Sequence, residues 1–147
     1  MYIYIAGPLF SVAERAFNTQ VKTELTVLGY RSFLPQQDGY LVENMLASGQ
    51  DPDQVFKKVY ALDIKKLNEA DIVLAVLDGA VIDEGTAFEI GYATALGKPC
   101  YGLQTDSRRQ LPTGNNPMIE LSLKDSFCNL SDLRSRFGES VTFYQSA

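Results

Sequence analysis

Asp71-Ile-Val-Leu-Ala-Val-Leu77 decides the fold. It is the most apolar stretch of the chain, and the Asp78-Gly79 turn closes it. An unbroken apolar run bounded by turns suits a strand covered on both faces, which is what a parallel sheet requires. The run is far too short to cross a bilayer. Upstream, Asp51-Pro52 pairs an N-cap residue with proline at the first helical position. Phe56, Val59 or Tyr60, Asp63 and Leu67 continue at helical spacing, which predicts a helix to about Asn68. Downstream, a helix is expected from about Glu84 to Leu96, stopped by Gly97-Lys-Pro99, and then a strand from Cys100 to Leu103.

The flanks repeat this alternation. Tyr2 to Ala6 reads as a first strand, broken by Gly7-Pro8. Ser11-Val-Ala-Glu14 has the form of a capping box, in which hydroxyl and carboxylate satisfy free N–H groups at a helix start. Phe17, Val21, Leu25 and Leu28 follow at helical spacing, and Gly29 suits the left-handed position past the helix end. A second strand spans Tyr30 to Leu34 and ends at Pro35; Gln36 to Gln50 reads as a long loop with one helical turn near Val42 to Ala47. Loops of that length in a small domain are usually functional or mobile. After Leu103 the sequence predicts a loop rich in Pro, Gly and Asn, a short helix near Leu130 to Phe137 and a last strand from Val141 to Tyr144.

Strands alternating with helices give an α/β domain over residues 1–147: a doubly wound, flavodoxin-like or Rossmann-like five-stranded sheet of parallel type, with helices on both faces. Ligands of such folds bind at the carboxyl ends of the strands. The loops reaching that edge are Gly7 to Ser11, Pro35 onward and Asp78 to Gly85.

Composition narrows the chemistry. The chain has 147 residues, 46% hydrophobic and 21% charged, with a formal charge of −5. It contains no histidine, which removes Ser-His-Asp and Cys-His nucleophile pairs, histidine bases and histidine-held metals together. Cys100 and Cys128 lack CxxC spacing, so no zinc site or disulfide framework is indicated; neither metal nor cofactor is expected. The acidic balance argues against nucleic-acid polymers and anionic membranes as partners. The start of the chain lacks the basic and long apolar segments of a signal peptide, and a cytoplasmic location is the expectation.

The richest segment for chemistry is Asp83-Glu-Gly-Thr-Ala-Phe-Glu89-Ile-Gly-Tyr-Ala93. Small residues at Ala87, Gly91, Ala93 and Ala95 let this helix approach a sheet closely. Asp83 stands at the loop-to-helix junction and Glu89 about one turn in, so both carboxylates can face one cleft. The plainer account is that Asp83 caps the helix while Glu89 lies on its wet face. Asp63 sits amid apolar helix positions, its plainer role a surface pair with Lys65 or Lys66. Tyr4 faces away from Ile3 and Ile5; core packing suits it, and so does a hydrogen bond to a carboxylate above the sheet. Gly7-Pro-Leu-Phe-Ser11 is no phosphate cradle, lacking both GxGxxG and a lysine; Arg15 is the nearest basic side chain. Phe10 either stacks on a flat ring or closes the core.

With these residues in hand, the chain resembles the nucleoside 2-deoxyribosyltransferases over nearly its whole length. The resemblance rests on Tyr4-Ile-Ala-Gly-Pro-Leu-Phe10, Asp63-Ile-Lys-Lys, Ala70-Asp-Ile-Val-Leu-Ala-Val, Asp83-Glu-Gly, Phe88-Glu-Ile-Gly-Tyr-Ala93 and Asn116-Pro-Met118. It implies that Glu89 is the nucleophile attacking the anomeric carbon of a 2-deoxynucleoside, with Tyr4 orienting it. Asp83 and Asp63 would contact the nucleobase and help protonate it as it leaves. Gly7 and Phe10 would line the base site, and Gln36 or Gln37 would hold the base edge. Asn116 and Met118 match positions that a neighbouring subunit contributes to the sugar pocket, which implies a homo-oligomer of dimer units, up to a tetramer or hexamer, with shared sites. Tyr144 would stand for the family's C-terminal tyrosine. The substrates implied are a deoxynucleoside and a free nucleobase, exchanged in nucleoside salvage.

Two other readings compete. A hydrolase of the same superfamily would cleave 2-deoxynucleoside 5′-monophosphates, holding the phosphate with serines and a basic residue near the first turn; Pro8-Leu9-Phe10 is neutral and apolar there. A non-catalytic nucleotide-binding or receiver-like module would use Asp78 as phosphoacceptor, but Ala6-Gly7-Pro8 stands where its acidic cluster belongs.

Overall fold

A computed structural model describes the backbone of residues 1–145 and the side chains of residues 1–138. Five strands run in the order β2-β1-β3-β4-β5, all parallel. They are β1 (Tyr2–Ala6), β2 (Arg31–Phe33), β3 (Ile72–Val76), β4 (Cys100–Leu103) and β5 (Leu123–Phe127). Every residue of β3 is buried, as its apolar run predicts for a central strand. β1 pairs with β3 from Ile3↔Ile72 to Ala6↔Ala75 and with β2 from Tyr2↔Arg31 to Tyr4↔Phe33. The strand order therefore reverses direction between β1 and β3, and that switch point opens a crevice at the carboxyl edge.

Alternation along the strands divides the core in two. Ile3, Ile5, Leu74 and Leu103 pack on one face beneath α1 (Val12–Val27) and α7 (Leu130–Gln145). Tyr4, Ala6, Val73, Ala75 and Leu77 pack on the other with Leu67 of α4 (Pro52–Glu69) and Ile90 and Ala93 of α5 (Glu84–Ala95). Local signals hold where the sequence spells them out. Ser11 and Glu14 form the reciprocal capping box of α1, Asp51 caps α4, and Gly29 takes the left-handed conformation at φ 84°.

Three expectations are corrected. Residues 141–144 are helical, because α7 begun at Leu130 continues to Gln145; their strand propensity is a weak prior that a running helix overrides. The fifth strand is instead Leu123–Phe127, whose Lys124, Asp125 and Ser126 are exposed at the sheet edge, where charge blunts unwanted pairing. The segment after Pro35 is more ordered than a loop, with α2 (Pro35–Asp38) ahead of α3 (Val42–Ala47). A last short helix, α6 (Pro117–Glu120), precedes β5.

Candidate active site

Tyr4 connects sheet to helix at the switch point. Its ring is wholly buried and packs on Phe33 at 5.5 Å, while its hydroxyl donates to Glu89 Oε1 at 2.5 Å. Both readings of Tyr4 thus apply at once: the ring is core and the hydroxyl is not. Glu89 reaches this hydroxyl because α5 lies low on the sheet, with Ile90 and Ala93 fully buried against it. Asp83 does cap α5, its Oδ2 accepting from the Thr86 N–H at 2.8 Å and from the Thr86 hydroxyl at 3.1 Å, and it also lines the cleft. Asp63 lines the same cleft from α4. It has no hydrogen-bond or ion-pair partner among the described residues, since Lys66 and Lys65 turn to Glu69 at 2.7 and 3.9 Å.

The cleft encloses about 210 Å³. The β1–α1 turn contributes Gly7, Leu9 and Phe10, with Phe10 69% exposed. A Cβ on Gly7 would stand 3.1 Å from both Asn18 Oδ1 and Val76 Cβ, so this turn lies tight between helix and sheet. Among the described residues Arg15 is the one cation in the lining, with Nη1 donating to the Leu9 carbonyl at 2.8 Å.

Burial raises Glu89 and Asp63 in this partly dry cleft. Burial pushes Glu89 up to about 8; the hydrogen bond from Tyr4 opposes this and the charges of Asp63 and Asp83 add to it. Burial alone lifts Asp63 to about 6. The Tyr4 phenol is held far above its usual range, first by burial, then by the charges of Glu89 and Asp63. Glu89 and Asp63, raised in this way, hold a proton between them near neutrality. The pair offers one carboxylate as nucleophile or base and one carboxylic acid as proton donor, the division of labour that paired carboxyls perform.

Other candidates lie elsewhere. Gln36 faces α1, its Nε2 donating to the Arg15 carbonyl at 2.8 Å and its Oε1 accepting from Asn18 at 3.1 Å. Gln37 donates to Thr19 Oγ1 at 2.9 Å, and neither glutamine lines the cleft. Asn116 caps α6 through the Met118 N–H at 2.9 Å, and Met118 is 78% exposed; neither reaches the cleft of its own chain. The Tyr144 side chain lies outside the described residues. Asp78 bonds Thr105 through its N–H and hydroxyl, both at 2.6 Å, and the Asp106 N–H at 2.9 Å, so its carboxylate closes the loop after β4.

Residues 3–130 match the family model for nucleoside 2-deoxyribosyltransferase. The chain belongs to that family. Among solved structures it is similar to the 2-deoxyribosyltransferase of Bacillus psychrosaccharolyticus, at 26% identity and a TM-score of 0.75, covering 91% of this chain and 90% of that one. An uncharacterised protein of Ureaplasma parvum is 32% identical over 117 residues, 72% of this chain and 71% of that protein. The fold is also shared with a Clostridium botulinum CMP N-glycosidase, at 17% identity and a TM-score of 0.55, covering 98% and 99%.

In this member of the family the cleft includes a wall that sequence reasoning missed: Tyr40, Leu41, Val42 and Glu43, at and just before the start of α3. The available signal was the length of the connection between Pro35 and Asp51, which is long for a structureless link. A second, shallower apolar depression shares Asp63 and Glu89 with the cleft and is walled by Phe56, Tyr60 and Phe88, all exposed.

Proposed function

We propose that this protein transfers 2-deoxyribose between nucleobases through a covalent deoxyribosyl–Glu89 intermediate. The observation that carries the reading is the Tyr4–Glu89 hydrogen bond in a cleft shared with Asp63 and Asp83. Tyr4 holds Oε1, leaving Oε2 to attack. In the first step Glu89 Oε2 bonds to the anomeric carbon and the bond from that carbon to the base nitrogen breaks. The electron pair leaves with the base, and a carboxyl proton from Asp63 or Asp83 neutralises it. A second base then attacks the same carbon, returning the proton to the cleft and the electron pair to Glu89. Two inversions give net retention, as in retaining glycosidases. Tyr4 assists because its hydrogen bond to the ionised carboxylate opposes the effect of burial, so more of Glu89 is ionised at a given pH than burial alone would allow. Phe10 supplies a ring for the base to lie on, and Gly7 lines the base site beside it.

Exchange instead of hydrolysis requires the glycosyl-enzyme to be shielded from water. The exposed apolar walls beside Glu89, together with Met118 and Leu121 (78% and 88% exposed), support a second copy of the chain closing the site. We place Asn116 and Met118 of that copy at the sugar. Free bases and deoxynucleosides as substrates assign the protein to nucleoside salvage in the cytoplasm. Gln36 and Gln37 would serve by bracing α1 against α2.

Hydrolysis of nucleoside 5′-monophosphates is favoured by one feature, the Arg15 cation in the lining, but Arg15 Nη1 is committed to the Leu9 carbonyl. Incubating deoxyinosine with adenine, and deoxyinosine 5′-monophosphate in parallel, tests the two readings together. Swapped deoxyadenosine is expected, with a deoxyribose adduct on the Glu89 peptide when turnover is quenched. Free deoxyribose as the sole sugar product overturns the transferase reading, and an exchange-competent enzyme whose adduct sits on another peptide overturns Glu89.

A further inference from the structure

Asn18 is an amide at a position where α1 calls for an apolar side chain. With Val21 and Leu25 it forms the buried stripe of that helix, and it is 1% exposed. Its Oδ1 is buried with no hydrogen-bond partner among the described residues, which costs stability. Its Nδ2 is fully used, donating to the Pro8 carbonyl at 2.8 Å and to Gln36 Oε1 at 3.1 Å. Gln36 in turn donates from Nε2 to the Arg15 carbonyl at 2.8 Å. A backbone carbonyl at each end therefore fixes the direction of both amides. Gly7 lets Asn18 come this close, since a Cβ there would stand 3.1 Å from Asn18 Oδ1.

What Asn18 holds is the turn that carries Phe10. Side chains of α1 engage its backbone groups in succession: Asn18 the Pro8 carbonyl, Arg15 the Leu9 carbonyl at 2.8 Å, and Glu14 the Phe10 and Ser11 N–H groups at 3.0 and 2.7 Å. Phe10 itself is 69% exposed and lines the cleft. An exposed ring on a pinned backbone is organised before its ligand arrives. Glu14 belongs to the capping box and Arg15 reaches Leu9 on a long side chain, whereas Asn18 is short, buried and oriented from both sides. We propose that Asn18 is a positioning residue, which by way of the Pro8 carbonyl sets Phe10 where a nucleobase stacks on it. The inference rests on the reading above in that the base lies on Phe10. Tyr4 and Glu89 are placed by β1 and α5 and bond each other, not Asn18, so base binding and sugar chemistry should separate.

The test is a double-mutant cycle on the full chain. It is read by calorimetric titration with free adenine and free cytosine, and by kcat and KM for deoxyadenosine and deoxycytidine. Loss of one base–aromatic stack corresponds to about five- to a hundredfold in affinity. Phe10→Ala and Asn18→Ala should each weaken base binding within that range and raise KM by more than they lower kcat. The double variant should bind within about twofold of Phe10→Ala, because Asn18 acts through that ring. A loosened fold would instead give losses that add to those of Phe10→Ala and a kcat that falls with them. Additive losses, wild-type base affinity in Asn18→Ala, or a wild type that binds neither base overturns the inference. Should Asn18→Ala fail to fold, Gln36→Ala, which withdraws the acceptor that orients the amide, takes its place in the cycle under the same criteria. Coupled losses of base binding in a protein that neither exchanges nor cleaves nucleosides uphold the inference while the transferase reading fails. Deoxyribosyl exchange with uncoupled losses overturns the inference alone.

Discussion

Asp63 and Glu69 stand on one helix, α4, and the protein treats them oppositely. Glu69 faces solvent, where Lys66 bonds it at 2.7 Å and holds it below the usual carboxylate range. Asp63 turns toward the cleft with no cation beside it, and burial lifts it to about 6. Both are acids in a helix that carries adjacent lysines, so residue type and spacing do not separate them. What separates them is which side of α4 meets the sheet and α5. A carboxyl that gives up a salt bridge and part of its water is less stable when ionised, and the gain is a proton held ready near neutral pH.

The strongest way to sharpen the contrast is to remove the group that the cleft is proposed to serve. Glu89→Ala should lower base exchange by at least about ten-thousandfold, since loss of a covalent nucleophile removes the pathway itself. The fold should survive, because the cavity opens toward the cleft; circular dichroism and a thermal melt check this. Residual exchange within tenfold of wild type would place the nucleophile elsewhere.

Asp63→Asn comes next. An amide cannot deliver the proton that the leaving base requires, so kcat/KM should fall by roughly a hundred- to ten-thousandfold. The same variant reads the stability side of the comparison. The Asp63 carboxyl is protonated more readily in the folded chain, about 6, than at its ordinary value of 3.8. Folding therefore favours the acid form. The contribution is fully present below pH 3.8, declines as pH rises, and is lost above about 6. Thermal melts of wild type and Asp63→Asn should consequently diverge in the variant's favour between those two pH values and then run parallel. A difference independent of pH would mean that folding leaves the proton affinity of the Asp63 carboxyl unchanged.

Tyr4→Phe keeps the ring on Phe33 and deletes one hydrogen bond to Glu89. Removal of a single oriented donor suggests a loss of about ten- to a thousandfold. A structural role alone would leave the pH profile in place. Loss of the bond that opposes protonation of Glu89 should instead move the acidic limb of the kcat/KM profile to higher pH.

These residues were legible in the sequence to different degrees, for physical reasons. β3 declared itself because a strand buried on both faces has no room for polar side chains. The helix starts at Ser11, Asp51 and Asp83 were readable because capping is local chemistry between residues three apart. β5 was missed because its edge position lets Lys124, Asp125 and Ser126 face water, leaving no apolar pattern to find. Asp83, Glu89 and Tyr4 could be nominated from spacing, yet their convergence depends on the pairing of β1 with β3 and on the closeness of α5. The connection after Pro35 was expected at this edge, but not its Tyr40–Glu43 wall, since no periodicity tells which turn of a long connection folds back over the crevice.

Glu69→Gln supplies the smallest expected effect and closes the comparison. It removes the anion that engages Lys65 and Lys66 while leaving Asp63 in place. Exposed ion pairs contribute little, being screened by water and salt and held at the expense of side-chain entropy. The melting temperature should barely move, and base exchange should match wild type at every pH. The informative risk lies in the two freed lysines. Should either swing inward to Asp63, it would favour the ionised carboxyl, deplete the proton proposed for the leaving base and slow exchange most at pH values near 6. A pH-dependent loss in Glu69→Gln would therefore show that Glu69 keeps those cations away from the cleft, giving the surface carboxylate a role in the chemistry of the buried one.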